Sequence, residues 1–461
     1  MANSIVYRQE KRHFEEFYRI VHLLGCMNVT RGDRIKGKKE GYTVAQFRRD
    51  TADALAYIAA YDKLPARVTA IALGREEGKL VVWITANENV QTEVVNFLTE
   101  VLSRLDNIAN NPILEDEEEF LDFVLDFNHK GILKYYTSFY GAWKKFRHGP
   151  NGYKGQDLAP LDVWIQKTFP KNGQPGDMAN LARKCHRARK EYPIVFELLK
   201  QNSSQNIMLS RDDEHKREQL HKLLYKIGRL VTECQKLIKA RNSLQEDFGQ
   251  GAVVKRIDDI PPTHTGLRQK YCLDTIATAL FKSETEREKF HSHLKLFYNR
   301  DDVSRKLQKC DKKLGRVHAE VQLINYFDTH QCQLLDERRP YIGCSKPACY
   351  LCYEYIIHHP RPWFLPPSHK KLYRHWCLPD RRGKENRMEF LAATVKTLES
   401  QLRDEVRNEQ GPRSSHADST AGATTTISPI DGRYRNIPIR RGLVIGQTKP
   451  NRIRSGSARY E

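Results

Sequence analysis

One segment constrains this chain more than any other, because it places an imidazole, a carboxylate and two thiols at fixed spacings. His318-Ala319-Glu320 opens a stretch whose apolar residues recur at helical spacing, and Cys349 and Cys352 follow a short predicted strand. Cys349 comes 31 positions after His318. Two cysteines three positions apart at the start of a helix project from the same face of its first turn. The pattern therefore predicts a site where side chains from two helices meet.

The residue types at this predicted site are typical of a zinc centre. The positive end of a helix dipole lowers the pKa of a thiol and favours the thiolate that zinc requires, so Cys349 and Cys352 are predicted ligands, with His318 as the third. Three protein ligands leave a fourth position for water, which is the catalytic pattern. Such a water ionises near neutral pH. Glu320 is predicted to move protons during hydroxide attack on an amidine carbon.

A closed zinc site is the alternative interpretation. The chain has ten cysteines, and most are scattered as small buried residues would be, but Cys344 adds a thiol close to the Cys349–Cys352 pair. We expect Cys344 to lie next to the site or to act as an alternative ligand. A closed site would complete the cysteine set with His318, His369 or Cys377, and it would need no acid at position 320. We favour the open site because both motifs occur together.

The segment resembles the zinc-dependent cytidine-deaminase-like superfamily, whose signature is His-x-Glu followed by Pro-Cys-x-x-Cys. The Ile-Gly-Cys-Ser-Lys run at 342–346, with Ser368-His369-Lys370 and Leu372-Tyr373 downstream, looks most like the OTT-type group of largely fungal, predicted nucleic acid or nucleotide deaminases. The chain departs from the signature at one position, because Ala348 stands between Pro347 and Cys349. The entry into the second ligand helix is therefore expected to differ.

The resemblance implies an α/β fold, in which a cytidine-deaminase-like mixed sheet is flanked by helices. Two β-rich runs, 68–73 and 80–85, are separated by Gly-Arg-Glu-Glu-Gly and predict a hairpin that supplies the first two strands. By resemblance, Asn87 at the end of the second strand contacts the substrate, with Asn89 as the second choice. Ser368 and His369 are further candidates for hydrogen bonds to the substrate.

We expect four segments along the chain. Residues 1–89 hold N-terminal helices and the hairpin, 90–314 form a large all-helical insertion with one long helix at about 212–246, and 315–404 carry the zinc motifs. Residues 405–461 contain ten Lys or Arg against five Asp or Glu and few large apolar residues, so they are predicted to be a disordered basic tail.

The charge of the chain favours anionic partners. Lysine and arginine outnumber the acids 77 to 57, which gives a net charge of +20. Such a surplus suits nucleic acid or nucleotides, although a basic surface that only solvates the protein is an equal alternative. The basic stretch 183–190 is either a solvated helix face or a patch that contacts phosphates.

The location of the protein is predicted from what its sequence lacks. No apolar run approaches the ~18 residues that span a bilayer, and charges occupy the N-terminus where a signal peptide has its apolar core. We therefore expect an intracellular protein, cytoplasmic or nuclear, with no membrane partner. The sequence leaves its oligomeric state open.

Hydrolytic deamination is the function that these observations favour. The predicted substrate is a cytosine- or adenine-type base in nucleic acid or nucleotide, with Zn²⁺ as cofactor. The alternative is a zinc-stabilised scaffold without catalytic activity, which binds a protein or nucleic-acid partner through residues 90–314.

Overall fold

Helices surround one small mixed sheet. A computed structural model describes residues 2–27, 30–110, 114–148, 153, 158–169, 175–191, 197, 199, 211–262, 272–310, 314–379 and 385–412. The described helices are α1 (Ala2–Met27), α2 (Val44–Ala59), α3 (Thr92–Asn110), α4 (Leu114–Phe127), α5 (His129–His148), α6 (Ala159–Thr168), α7 (Pro175–Glu191), α8 (Arg211–Ile227), α9 (Arg229–Ser243), α10 (Gln245–Phe248), α11 (Leu273–Leu280), α12 (Glu284–Phe297), α13 (Arg300–Cys310), α14 (Ala319–Phe327), α15 (Tyr350–Ile357) and α16 (Glu385–Arg407). The described strands are β1 (Thr69–Glu76), β2 (Lys79–Ala86), β3 (Ala252–Arg256), β4 (Gln333–Leu334) and β5 (Gly343–Cys344).

The predicted hairpin is present, with a tighter turn than the sequence indicated. β1 and β2 pair antiparallel from Thr69 opposite Ala86 to Glu76 opposite Lys79, so only Glu77 and Gly78 remain in the turn. Both have positive φ, 49° and 79°. Positive φ at both central residues is the type I′ geometry, whose twist matches that of paired strands. The strands therefore extend into most of the predicted five-residue turn.

The sheet is mixed. β3 pairs with β2 in parallel, and β4 and β5 each pair antiparallel with β1. β3 comes from the segment that the sequence assigned wholly to helices. The α/β class with a long helical insertion is confirmed, and the insertion also returns one strand to the sheet.

Both faces of the hairpin are buried, because successive side chains of a strand point to opposite sides. Ile71 of β1 and Ile84 of β2 belong to a core shared with α2 and the helices of the insertion. Ala72 and Trp83 face the other way, into a smaller core that they share with α14. The sheet is thus a layer between helices, and α14 is packed directly on it.

A further core lies around the second ligand helix. It contains apolar residues of α1, α11, α12, α13 and α16 together with Cys349, Tyr350 and Cys352. The N-terminal and C-terminal helices therefore meet at the helix that carries the predicted thiol ligands.

The long helix predicted at about 212–246 is interrupted. α8 ends at Ile227 and α9 begins at Arg229, with Gly228 between them. A Cβ atom at Gly228 would lie 2.7 Å from the backbone nitrogen of His186. The missing side chain lets α7 cross this junction closely.

The predicted segment boundaries at the C-terminus shift slightly. α16 continues to Arg407, past the expected start of the tail at 405. The remainder of the predicted disordered tail, from 413 onward, lies outside the described residues. The domain division itself stays a prediction. In the described part of the chain, no helix is both long enough and apolar enough to cross a membrane.

Candidate metal centre and active site

Two helix starts meet to form the candidate site. His318 is the N-cap of α14, and Cys349 is the N-cap of α15, each with extended backbone. Cys352 lies in the first turn of α15, and its backbone N–H donates to Cys349 Sγ at 3.4 Å. The Cys-x-x-Cys spacing therefore serves both as a ligand pair and as a helix cap.

Backbone and side-chain hydrogen bonds attach the start of α14 to the end of β2. The hydroxyl of the buried Thr85 donates to the carbonyl of Ala319 at 3.0 Å, and the Gln322 amide donates to the carbonyls of Ala86 and Val317. Asn87 Oδ1 accepts from the N–H of Ala319 at 3.0 Å. These contacts hold His318 in one position relative to the sheet, because they engage the peptide that follows it.

The donor atoms are close enough to share one ion. His318 Nδ1 is 3.5 Å from Cys349 Sγ and 3.4 Å from Cys352 Sγ. Tetrahedral zinc with bonds of about 2.3 Å to sulfur and about 2.0 Å to nitrogen would place these atoms about 3.5 Å apart. The three residues form a compact group whose donor atoms lie within 4.8 Å of one another. Their spacing and chemistry fit zinc.

The electrostatics of the pair also fit a cation. Burial raises the pKa of Cys349, but the hydrogen bonds from Cys352 and the His318 charge outweigh it, so the net direction is well downward. Burial and the neighbouring Cys349 charge raise the pKa of Cys352. One thiol thus ionises easily and opposes ionisation of the other. A divalent cation between them removes that opposition, because its charge favours both thiolates.

Glu320 lies beside this group. Its side chain is buried, and Cys352 Sγ is 3.7 Å from Oε2. Burial raises the pKa of Glu320 above its ordinary value, and the nearby His318 acts in the opposite direction. A carboxylate shielded from bulk water next to a metal group can hold and transfer a proton within the site.

The comparisons with known proteins agree with this geometry. Residues 317–380 match the OTT_1508-like deaminase family, and the His318–Cys349–Cys352 group lies within the match. The match and the His318–Cys349–Cys352 group within it fit an OTT-type deaminase group of the cytidine-deaminase-like superfamily. Neither the curated proteins nor the solved structures gave a significant match.

The closed-site alternative is not supported by the geometry of the matched segment. Within the described residues, the group around His318 contains no fourth histidine, cysteine or acid donor. Cys344, on β5, has its thiol 3.7 Å from the carbonyl of Ile342, and its backbone N–H donates to Asp53. Burial first, and then the charges of Glu320 and Asp53, raise the pKa of Cys344 well above its usual range. Cys344 is therefore a neighbour of the group and is not one of its three donors.

Ser368 and His369 differ in what they can offer a substrate. Ser368 is fully buried; its hydroxyl donates to the Ala348 carbonyl and accepts from the N–H of Lys370. These contacts give it a structural role, and a substrate contact at Ser368 finds no support in them. His369 Nδ1 accepts from the N–H of Lys371 at 3.0 Å, which assigns the proton of the neutral ring to Nε2. His369 thus remains a candidate donor.

Asn87 and Asn89 lie at the predicted end of the second strand. The Asn87 side chain joins the start of α14 to Pro65, whose carbonyl accepts from Nδ2 at 2.9 Å. Asn89 is exposed, and its backbone contacts Arg67 and Asp259. Asn87 is therefore the one placed beside the site, and its contact with a substrate stays a prediction.

The Trp376 indole is a contact of the site that sequence reasoning missed. Trp376 Nε1 donates to Cys352 Sγ at 3.3 Å, in a fully buried position. A donor to a ligand thiolate orients it and tunes its charge. The sequence held no signal for this contact, since Trp376 follows Cys352 by 24 positions in an irregular segment.

Two arginines of the basic stretch 183–190 make contacts within the protein. Arg183 pairs with Glu118 and Asp122, and Arg189 stacks on Tyr225. Lys184 and Arg187 are exposed. The phosphate-contacting interpretation of this stretch thus loses two of its cations to internal contacts.

Proposed function

We propose that this protein is a zinc-dependent hydrolase that removes the exocyclic amine of a nucleobase in nucleic acid or nucleotide. One observation carries the proposal: His318 Nδ1 lies at nearly equal distances from two thiols, and the buried Glu320 carboxylate is adjacent to them. A purely structural zinc site has no need of a buried acid beside it. The deaminase family match over 317–380 supports the same chemistry.

His318, Cys349 and Cys352 would hold the zinc. When bound by three protein ligands, zinc supplies an activated water that ionises near neutral pH. In the net reaction, water adds across the ring C=N bond at the carbon that carries the amine. The exocyclic C–N bond then breaks, ammonia leaves, and a carbonyl forms at that carbon.

Glu320 performs the proton transfers in this proposal. Its carboxylate takes a proton at Oε2 from the attacking water and gives it to the ring nitrogen. It then takes the remaining proton of the added hydroxyl and gives it to the amine, which leaves as ammonia while the carbonyl forms. The raised pKa of Glu320 suits this exchange, because it makes the carboxylate a better proton acceptor. His369 Nε2–H and Asn87 are the proposed contacts to the substrate.

A base that is stacked on its neighbours in a nucleic acid must unstack before it can reach such a site. Nucleobase deaminases act on unstacked or single-stranded substrate, because the reacting carbon is inaccessible within a duplex. The net charge of +20 supports a phosphate-bearing substrate class. A cytoplasmic or nuclear location would give the protein access to nucleotides and nucleic acid.

Glu320→Gln tests the proposal, since it keeps the shape of the side chain and removes its proton exchange. We expect unchanged zinc content and loss of ammonia release by at least about 100-fold, the lower range for general acid–base catalysis. Zinc per chain is measured by atomic emission. Ammonia release is measured with cytosine, adenine and guanine compounds, each supplied as a monomer and as a single-stranded oligomer. Glu284→Gln, an exposed acid of α12, is the matched control and should change neither quantity.

Two outcomes would contradict the deaminase. Equal ammonia release by Glu320→Gln and the wild type would remove the proposed acid from the reaction. Zinc binding without turnover of any base in the wild type would favour the alternative scaffold, in which the metal holds the fold and residues 90–314 bind a protein or nucleic acid.

A further inference from the structure

One guanidinium nitrogen next to the site, Nη2 of the half-buried Arg34, has no described hydrogen-bond partner. Arg34 lies in an extended segment that pairs with the segment after Pro367: the N–H of Ile35 donates to the Ser368 carbonyl at 2.8 Å, and the N–H of Ser368 donates back at 3.0 Å. This isolated antiparallel bridge makes Arg34 and His369 the next residues in register on one side of it. Arg34 Nη2 is buried, and it makes no hydrogen bond within the described part of the chain. A buried charged donor without an acceptor is unfavourable, so the position favours an anionic ligand.

The surroundings of Arg34 are positive. Lys371 is two residues beyond His369, and Lys346 is two residues before Ala348, whose carbonyl accepts from the N–H of His369 at 3.1 Å. Burial and then the charges of Lys371, His318, Arg34 and Lys346 lower the pKa of His369 to about 3. The described residues place no carboxylate at ion-pair distance from Arg34 or Lys371. Among the described residues, therefore, no acid forms an ion pair with Arg34 or Lys371.

This positive region adjoins the proposed reaction centre. His369 is the link, because it faces Arg34 on one side and shares Tyr373 with His318 on the other. The Tyr373 ring lies edge-on, 5.7 Å from the His318 ring and 5.8 Å from the His369 ring, and it is 38% exposed. A ligand that reaches His318 past Tyr373 passes within reach of the cations around His369.

We propose that Arg34, flanked by Lys346 and Lys371, binds a phosphate group of the substrate while its base lies at the His318 centre. This proposal rests on the proposed function, because it takes the phosphate to be part of the deaminase substrate. The guanidinium fork matches phosphate oxygens with two parallel hydrogen bonds, and the two lysines add charge. The phosphate belongs either to a free nucleotide or to a nucleic-acid single strand, since both present phosphate oxygens to these cations.

Binding measurements on the full-length, zinc-loaded chain test this subsite. Glu320→Gln is the background, so that turnover does not interfere. The probes are inorganic phosphate, cytidine and adenosine, their 5′-monophosphates, and a short single-stranded oligonucleotide, each titrated calorimetrically. Arg34→Gln should weaken the phosphate-bearing probes about 10- to 100-fold and leave nucleosides unchanged. Arg305 is an exposed arginine of α13. Arg305→Gln removes the same charge and should change the affinity neither for the phosphate-bearing probes nor for the nucleosides.

The two phosphate sources give different results. Tight, Arg34-dependent binding of the monophosphates indicates a free nucleotide, whereas Arg34-dependent binding of the oligonucleotide alone indicates a strand. Equal affinity of Arg34→Gln and Arg305→Gln for every phosphate-bearing probe overturns the subsite. So does failure of all these probes to bind better than the nucleosides.

Failure of the subsite and failure of the deaminase are distinguishable. If phosphate binding depends on Arg34 but no base releases ammonia, the anion site is supported and the deaminase function is rejected. If the rate of ammonia release depends neither on a phosphate in the substrate nor on Arg34, the phosphate subsite is rejected and the deaminase function is supported. Arg34→Lys provides a second variant in case Arg34→Gln does not fold: it keeps the charge, loses the fork, and should bind phosphate with intermediate affinity.

Discussion

At the scale of single residues, the indole of Trp376 connects the metal group to the core. Its Nε1 donates to Cys352 Sγ, while its ring packs 6.0 Å from both Phe17 of α1 and Phe390 of α16. We expect Trp376→Phe to reduce zinc affinity by roughly tenfold, because the ligand thiolate loses its outer hydrogen bond. Competition with a chromogenic chelator measures the affinity.

The matched control is the other fully buried tryptophan, Trp83 of β2, whose Nε1 has no described partner. Trp83→Phe should lower the melting temperature, since it also leaves a void, without changing zinc affinity. Equal zinc affinity of Trp376→Phe and the wild type would show that the indole only fills space.

At the scale of elements, the close approach of α2 to β5 positions the strand that leads to the ligand helix. A Cβ atom at Gly343 would lie 2.3 Å from the carbonyl carbon of Ala52 and 2.5 Å from the nitrogen of Asp53. Backbone atoms cannot rotate away, so Gly343→Ala forces α2 and β5 apart. We expect a loss of about 1–3 kcal/mol in the free energy of unfolding, measured by urea denaturation.

Gly141 offers the control for this substitution, since it lies within α5 and a Cβ there would meet nothing within 4 Å. Gly141→Ala should raise the free energy of unfolding by about 0.5–1 kcal/mol, because alanine loses less conformational freedom in a helix. A stable Gly343→Ala variant would mean that α2 and β5 are not held as closely as described.

At the scale of the whole molecule, the two thiols of the candidate metal group belong to one core and not to the core of the helical insertion. Cys349 and Cys352 pack with α1 and α11–α13, whereas the helices of the insertion form their own core with α2 and the sheet. Removal of zinc should therefore raise hydrogen exchange by about tenfold or more in α15 and the start of α14, with smaller increases in α1 and α16.

Exchange in the helices of the insertion, α3 to α9, should change little on chelation, and re-addition of zinc should restore protection elsewhere. Mass spectrometry of zinc-loaded and chelated protein measures both regions in one experiment. A uniform rise across both cores would show that the metal supports the whole molecule and not one part of it.

The sequence by itself determined what depends on near neighbours along the chain. His318-Ala319-Glu320 and the Cys349–Cys352 spacing predicted two helix starts carrying ligands, and alternating β-rich runs predicted the hairpin. These features are local, because one helical turn or one tight turn decides which side chains share a face. The contrast is clear at β3: five residues of a mostly helical segment became a strand by pairing with β2, and no local pattern required it.

Only the tertiary structure decided the contacts between distant residues. It brought His318 to the thiols, placed the Trp376 indole against Cys352, and set Arg34 opposite His369 while enclosing Ser368. A side chain far away in sequence leaves no periodic signal at its partner, because such contacts arise from how helices and strands pack. Cys344, which its place in the sequence had made a neighbour or an alternative ligand, lies outside the group of three donors.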